Sequence, residues 1–295
     1  MDGISFIIPA YNEEGGIGRV LLELIQLAPE IETQSEIIVI DDGSTDRTAD
    51  EVRAYPAVNL LQHYSNRGYG AAIKTGIRRA RYDLVCITDG DGTYPSGYIS
   101  ELIKHQVEMD CDMVVGARTG GNVSIPLIRQ PAKWAVGKLA NLVANTHIPD
   151  INSGLRLFRR SIALQFFGIL PDGFSFTTTI TLGMLTNGYN VEFIPIDYFS
   201  RIGKSKIRPI RDTLNFFQLI LRIALFFAPL RLFLPISGIV FLIGALWGLY
   251  SYFVLGLLAD VSTIVITMAA LQIAAIGLLA ELINKRLPNI YQGKN

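Results

Sequence analysis

Leu84-Val85-Cys86-Ile87-Thr88-Asp89-Gly90-Asp91-Gly92 is a short apolar run that breaks into two carboxylates spaced by a glycine. Leu84–Ile87 reads as a strand, and the glycines put Asp89 and Asp91 on the loop after it. Two carboxylates one residue apart can hold a hard divalent cation through oxygen. Magnesium favours one or two carboxylates completed by substrate phosphates, and a cation held so would neutralise a diphosphate leaving group. Acidic turns with glycine are common, so the pair acquires meaning from its surroundings.

Those surroundings repeat the pattern. Further β-rich runs lie at Ile4–Ile8, Glu36–Ile40, Asn59–Gln62 and Met113–Val115, separated by amphipathic stretches at Gly16–Leu27, Arg47–Tyr55, Gly70–Arg81 and Tyr98–Glu108. The alternation predicts an α/β domain with a mostly parallel sheet flanked by helices. Asp46 or Thr45 is expected to cap the second helix, and Ser96 or Pro95 to open the fourth. Polar and glycine-rich residues gather after every strand: Pro9 to Glu14, Asp41 to Ser44, Asn66 to Gly70, Asp89 to Gly92, and Gly116 to Arg118. Ligands of open α/β sheets bind at the carboxyl ends of the strands, so these loops read as one site.

Within that site Asp42 and Glu13 can accept hydrogen bonds from a base or ribose; as a turn acid and a helix-start acid they would serve the fold alone. Gly68–Thr75 imitates a phosphate loop, but Ile73 stands where glycine is required, so it is not read as a nucleoside triphosphate site. Cys86 and Cys111 read as buried thiols, and His63, His105 and His147 share no metal-ligand spacing. Lys and Arg number 26 against 26 acids, a net charge of zero that gives no reason to expect nucleic acid as a partner.

The apolar excess, 50% of 295 residues, is concentrated near the C-terminus. No charged residue occurs from Leu232 to Ala259 or from Val261 to Ala280, and each run can cross a bilayer core of about 20 residues. The predicted arrangement is a two-helix transmembrane hairpin at 232–284 with a tail at 285–295. Before it, Ile210–Arg231 carries a narrow polar stripe (Asn215, Gln218, Arg222), which predicts an amphipathic juxtamembrane helix over 209–231 against the lipid bilayer; a buried globular helix is the alternative. Arg222 and Arg231 precede the hairpin, Lys285, Arg286 and Lys294 follow it, and the connection holds Asp260 but no cation. Both ends are therefore expected in the cytoplasm, with the N-terminal domain. Met1-Asp2-Gly3 runs straight into the first strand, so no signal peptide is expected. Gly238, Gly244 and Gly248 would permit packing between protomers of a homo-oligomer.

The strings PAYNEE (from Pro9), DDGSTDRT (from Asp41), DGDGTYP (from Asp89), GAR (to Arg118) and NSGLRLFRR (from Asn152) together resemble the family-2 glycosyltransferases. More narrowly, they are similar to the dolichyl- or polyprenyl-phosphate mannose and glucose synthases. The resemblance implies a glycosyltransferase A-type, Rossmann-like catalytic domain over 1–208, a GDP- or UDP-sugar donor, and Mg2+ or Mn2+. It implies Pro9, Tyr11, Glu13, Ile40 and Asp42 around the nucleoside, and Asp89, Gly90 and Asp91 at metal and diphosphate. It also implies a donor- or phosphate-contacting Arg118, and Arg201 and Lys206 on a basic loop closing over the phosphates. That loop is one residue shorter than the RxxGxSK form, and Thr93 replaces a glutamine that often ligates the metal.

Transfer to a hydroxyl generally needs a base near the nucleophile. Ile151–Arg156 has no acid pair, and Asp150 is better placed for a turn before Asn152. A phosphate monoester is already ionised and attacks without a base, but needs cations to position it; Arg118, Arg129, Lys133 and Arg201 are the candidates, Arg129 and Lys133 being equally readable as solvated surface charge. The expected reaction is inverting transfer of a hexose, mannose or glucose, to a polyprenyl phosphate, with Asp89, Asp91, Arg118 and Arg201 as the catalytic set. The alternatives are a membrane glycosyltransferase for a hydroxyl-bearing lipid or glycan, and a non-catalytic sugar-nucleotide-binding subunit; the intact acid pair argues against the latter.

Overall fold

The computed structural model describes residues 3–31, 33–120, 137–138, 140–199, 221, 224–225, 228–256 and 260–286. Arg129, Lys133, Arg201 and Lys206, the polar stripe Asn215–Arg222 and the tail beyond 286 lie outside the described residues.

The chain opens as expected: β1 (Ile4–Ala10), α1 (Ile17–Leu27), β2 (Ser35–Asp41), α2 (Thr48–Arg53), β3 (Val58–Gln62), α3 (Tyr69–Arg79), β4 (Leu84–Ile87), α4 (Gly97–Met109) and β5 (Met113–Ala117). Then come β6 (Arg156–Arg159), α5 (Arg160–Gln165), α6 (Phe176–Thr186) and β7 (Val191–Pro195). The seven strands form one sheet in the order β3-β2-β1-β4-β6-β5-β7. All neighbours run parallel except β6, which lies antiparallel between β4 and β5. The mostly parallel α/β sheet is thus present, with two strands that the periodicity did not reveal. Asp46 does not cap α2: the N-cap is Arg47, and Asp46 Oδ1, one residue earlier, accepts from Thr48 N at 3.0 Å.

Alternation on the strands separates two apolar layers. Ile4, Phe6 and Ile8 pack with Leu21, Leu24 and Leu102 on one face, while Ile7, Ile38 and Ile40 pack with Ile73, Ile77 and Phe176 on the other. With both faces covered, only the ends of the sheet are open to ligands. The antiparallel β6 enters at the edge where the parallel strands end, since Arg156 pairs with Ile87 and Val115. The turn 152–154 therefore joins the strand-end loops.

Two long apolar helices, α7 (Pro229–Leu255) and α8 (Val261–Arg286), follow, and both are long and apolar enough to cross a membrane. Pro229 opens α7, where a missing N–H costs nothing, so the first of these helices begins before residue 232. Ser237 Oγ donates to Ala270 O at 2.8 Å. A Cβ at Gly244 would lie 3.0 Å from Ile266 Cγ2, and one at Gly248 would lie 2.8 Å from Thr263 Cγ2. These two glycines therefore serve contact between the chain's own spans rather than between protomers; Gly238 meets nothing within 4 Å. At the base of the hairpin, Leu232 packs against the apolar cluster that holds Val143, Ile148 and Leu182, and Arg231 Nη1 donates to Val143 O at 2.6 Å.

Candidate functional site

The first two strand-end loops are stitched together. Asn12, in the left-handed region (φ 56°), receives Thr45 N on its Oδ1 at 2.8 Å and donates its own N–H to Ser44 Oγ at 2.9 Å. Glu13 N donates to Thr48 Oγ1 at 2.9 Å, and Glu13 O accepts from Gly16 N and Ile17 N at 3.0 Å, so this residue starts α1. Pro9 and Ile40 are register partners at the ends of β1 and β2, which places Tyr11 and Asp42 just beyond them on adjacent strands. Asp42 is 3% exposed and its carboxylate is engaged by the protein: His63 Nδ1 at 2.7 Å, Arg67 N at 2.9 Å and Gly68 N at 2.7 Å. His63 also reaches Thr75 Oγ1 at 2.9 Å, so it is a buried linking histidine. The phosphate-loop look-alike has a packing explanation: at Gly68 (φ 104°) a Cβ would lie 2.5 Å from Asp172 O, and Ala71 N donates to that carbonyl at 3.0 Å. The Asp172 carbonyl thus takes up one of this loop's amides.

Asp89 and Asp91 occupy the centre of this edge. Tyr69 Oη donates to Asp89 Oδ1 at 3.0 Å; burial and then the charge of Asp89 hold the phenol well above its ordinary pKa, so it remains a donor. Thr93 donates to Asp91 Oδ1 through N at 3.1 Å and Oγ1 at 2.7 Å, orienting that carboxylate. Thr93 is 1% exposed, and its carbonyl accepts from Phe199 N at 3.1 Å. The segment entering residue 200 thus begins beside the acidic loop. Among the described residues no group of three or more His, Cys, Asp or Glu could hold a metal. Two carboxylate oxygens from one loop nevertheless fit Mg2+ or Mn2+ in the manner that leaves other positions to phosphate and water.

Across β6, Arg118 pairs with Asp150 through Nε to Oδ2 at 2.7 Å and Nη2 to Oδ1 at 3.0 Å, and its own N–H reaches Oδ2 at 3.1 Å. Burial alone would raise the Asp150 carboxyl, but the hydrogen bonds and charge of Arg118 outweigh it and hold Asp150 below the usual carboxylate range. Asp150 Oδ1 also accepts from Asn152 N at 3.1 Å, the turn role the sequence suggested. Arg118 lies over the Tyr198 ring, 5.1 Å from its centroid, and Tyr198 meets Tyr94 edge-on at 5.3 Å.

Sequence reasoning missed Tyr69, Tyr94, Gly154, Arg156 and Tyr198. Tyr94, three residues after Asp91, was the available signal: it is 5% exposed and accepts from Gly154 N at 2.7 Å. A Cβ at Gly154 would stand 2.7 Å from Asp89 Oδ2. Gly154→Ala should therefore push Asp89 aside and lower turnover by roughly 100-fold, with the melting temperature nearly unchanged. Steady-state assay beside thermal unfolding checks this.

A family model described as glycosyl transferase family 2 matches residues 5–167, and one for a GtrB C-terminal hairpin matches 228–285. A dolichyl-phosphate hexose transferase of Haloferax volcanii is 29% identical over 209 residues, covering 70% of this chain and 88% of that protein. An undecaprenyl-phosphate mannosyltransferase of Micrococcus luteus is 28% identical over 214 residues, covering 68% and 86%. Among solved structures, glucosyl-3-phosphoglycerate synthase of Mycobacterium tuberculosis with Mn2+, UDP and phosphoglyceric acid aligns with a TM-score of 0.60 at 18% identity, over 75% of this chain and 78% of that one. That likeness is one of fold.

Proposed function

The chain belongs to glycosyl transferase family 2, and on that premise we propose that it moves a hexose, mannose or glucose, from a GDP- or UDP-sugar to a polyprenyl phosphate with inversion. The observation that carries the phosphate acceptor is the Arg118–Asp150 pair. Asp150 is a carboxylate on the Arg118 side of the edge, and its pairing leaves it unsuited to take a proton. The first turn of α6, which faces the same turn through Thr178 Oγ1 to Asn152 Oδ1 at 2.5 Å, presents threonines rather than acids. An ionised phosphate oxygen is a nucleophile that needs no base. The names of the Haloferax and Micrococcus relatives support the same acceptor class.

In this reading Pro9, Tyr11, Glu13 and Ile40 surround the nucleoside, and Asp42 secures the turn before α3 as well as that pocket. Asp89 and Asp91 hold Mg2+ or Mn2+, which when bound supplies positive charge to the departing diphosphate. Arg118, with Arg129, Lys133 and Arg201, clamps the lipid phosphate opposite the leaving group, and Lys206 contacts the donor phosphates. The hairpin keeps the site at the leaflet that carries the prenyl chain. The flanking cations orient domain and tail towards the cytoplasm.

Two lipids of one chain length, polyprenyl phosphate and the free polyprenol, test the acceptor. Product from the phosphate alone is expected; product from the alcohol would transfer the reading to a hydroxyl acceptor. A chain ending at residue 208 should still bind nucleotide and glycosylate a short, water-soluble prenyl phosphate, while losing long-chain lipid in vesicles. Undiminished activity on the long-chain lipid would overturn the anchoring role.

A further inference from the structure

The chain beyond β7 runs beside the chain beyond β5. Their register closes on Ala117 and Pro195; past it Ile196 N donates to Ala117 O at 2.8 Å, and Gly120 N donates to Ile196 O at 3.2 Å. Arg118 and Tyr198 therefore leave the sheet on neighbouring strand ends, and the guanidinium carbon lies over the Tyr198 ring, 5.1 Å from its centroid. Asp150 holds one edge of that guanidinium, through Nε and Nη2, while the ring covers a face. Nη1 makes no hydrogen bond among the described residues, and the side chain is 25% exposed. An arginine held by an edge and a face, with its outer nitrogen open, is set to receive one oxygen of an anion.

The ring is in turn tied to the acid loop. Tyr198 meets Tyr94 edge-on with 5.3 Å between centroids, and Tyr94 Oη accepts from the N–H of Gly154, the residue packed against Asp89. The neighbours of the two tyrosines are joined by backbone: Phe199 N donates to Thr93 O at 3.1 Å, and Thr93 orients Asp91. Tyr198 is half-buried against the core, and its hydroxyl makes no hydrogen bond among the described residues. The ring, not the Oη, is the part of Tyr198 that the site engages.

We propose that Tyr198 is a positioning residue for the acceptor: its ring face holds the Arg118 guanidinium at a fixed remove from the acid loop, so that a phosphate taken by Arg118 is aligned with the bond to be broken. This rests on the lipid-phosphate role given to Arg118. Tyr198 touches no substrate; it acts through Arg118. A cation over a ring is attracted by the negative quadrupole of the face, and more strongly where water is excluded. A tyrosine that only fills space would be replaced without loss by any ring of the same shape.

Shape and quadrupole separate by fluorination. Tyr198→Phe keeps the ring; phenylalanine carrying one, two or three fluorines, placed at position 198 by stop-codon suppression, keeps the shape and weakens the face. Full-length protein in detergent, with GDP-mannose or UDP-glucose as donor and undecaprenyl phosphate as acceptor, gives kcat/KM for the lipid. Calorimetry with GDP and UDP gives nucleotide affinity. The expected result is a Phe variant within about threefold of wild type and a stepwise fall to roughly a further tenfold at three fluorines, with nucleotide affinity changed by less than about twofold. Tyr198→Leu should lose roughly 20-fold. In an Arg118→Ala background it should cost less than about twofold more, because the two residues act on one contact. Fluorinated rings as active as Phe would overturn the proposal, as would a Phe variant as weak as Leu, or a Leu effect undiminished without Arg118. If Leu fails to fold by circular dichroism and melting, the fluorine series decides alone. Arg118→Ala with wild-type transfer would instead remove the lipid-phosphate role on which the proposal stands, and the proposal with it.

Discussion

Asp91→Ala is expected to lower hexosyl transfer by a factor on the order of 10³ while leaving the fold intact. Its carboxylate is 9% exposed, follows β4 by four residues, and is oriented by both donors of Thr93. Alanine removes the charge and also strips Thr93 of its acceptor, so the pair of effects must be separated. Asp91→Asn does this, because its amide oxygen can still receive Thr93 while the negative charge is gone. If cation binding is what Asp91 does, Asn should fall almost as far as Ala and both should lose Mn2+ binding. If Asn retained most of the activity, Asp91 would be an architectural residue and the metal assignment would fail. Near-normal turnover by the alanine variant would be a still simpler refutation.

Arg118→Ala is expected to cut transfer by roughly 100-fold or more, with donor binding preserved. Here too the structure gives the residue two tasks. Removing the guanidinium leaves Asp150, 5% exposed, without its partner, and such a loss destabilises by about 3 kcal/mol. The double variant Arg118→Ala/Asp150→Asn removes the orphaned charge. It should recover most of the melting temperature and none of the transfer to lipid phosphate. Recovery of both would show that Arg118 serves only to neutralise Asp150. The pair also has a pH signature. Asp150 is depressed in the folded state, so its stabilisation is present above the ordinary carboxylate pKa and is lost as pH falls through the lower, folded value. Asp150→Asn should flatten that acid limb of stability.

The legible part of this molecule was the part whose chemistry is local. Ile4–Ile8 and Leu84–Ile87 are short apolar runs that end in Pro, Asp and Gly, and a parallel strand followed by a ligand loop has that composition. The antiparallel β6 was not legible. It is four residues long, begins and ends with arginine, and its inner position depends on Arg156 being satisfied by a turn and a helix that periodicity cannot bring together. The acid pair could be read because Asp89 and Asp91 sit on one loop. The Arg118–Asp150 bond joins residues 32 apart, so spacing gave the arginine and its turn acid separately but not their union. Gly244 and Gly248 show the same limit: a small-residue stripe marks close packing without saying against what.

The hairpin bears on function through exposure. Leu234, Phe241, Leu242, Ile243 and Phe253 on α7, with Val265, Leu271 and Leu279 on α8, are exposed apolar side chains, as lipid-facing spans require. Leu232 and Arg231 tie the first span to the catalytic domain. In the proposed function, a site fixed to its anchor in this way stays at the membrane surface, where a long prenyl phosphate presents its head group.

The most direct test of polyprenyl-phosphate glycosylation is a donor panel on purified full-length protein in detergent, with Mg2+ or Mn2+ and undecaprenyl phosphate. GDP- and UDP-sugars are added singly and the lipid fraction is weighed by mass spectrometry. The expected result is a lipid phosphate heavier by one hexosyl unit with a single donor, which would identify nucleotide and sugar together. Donor hydrolysis, or transfer to another acceptor, with the lipid phosphate unchanged would contradict the account.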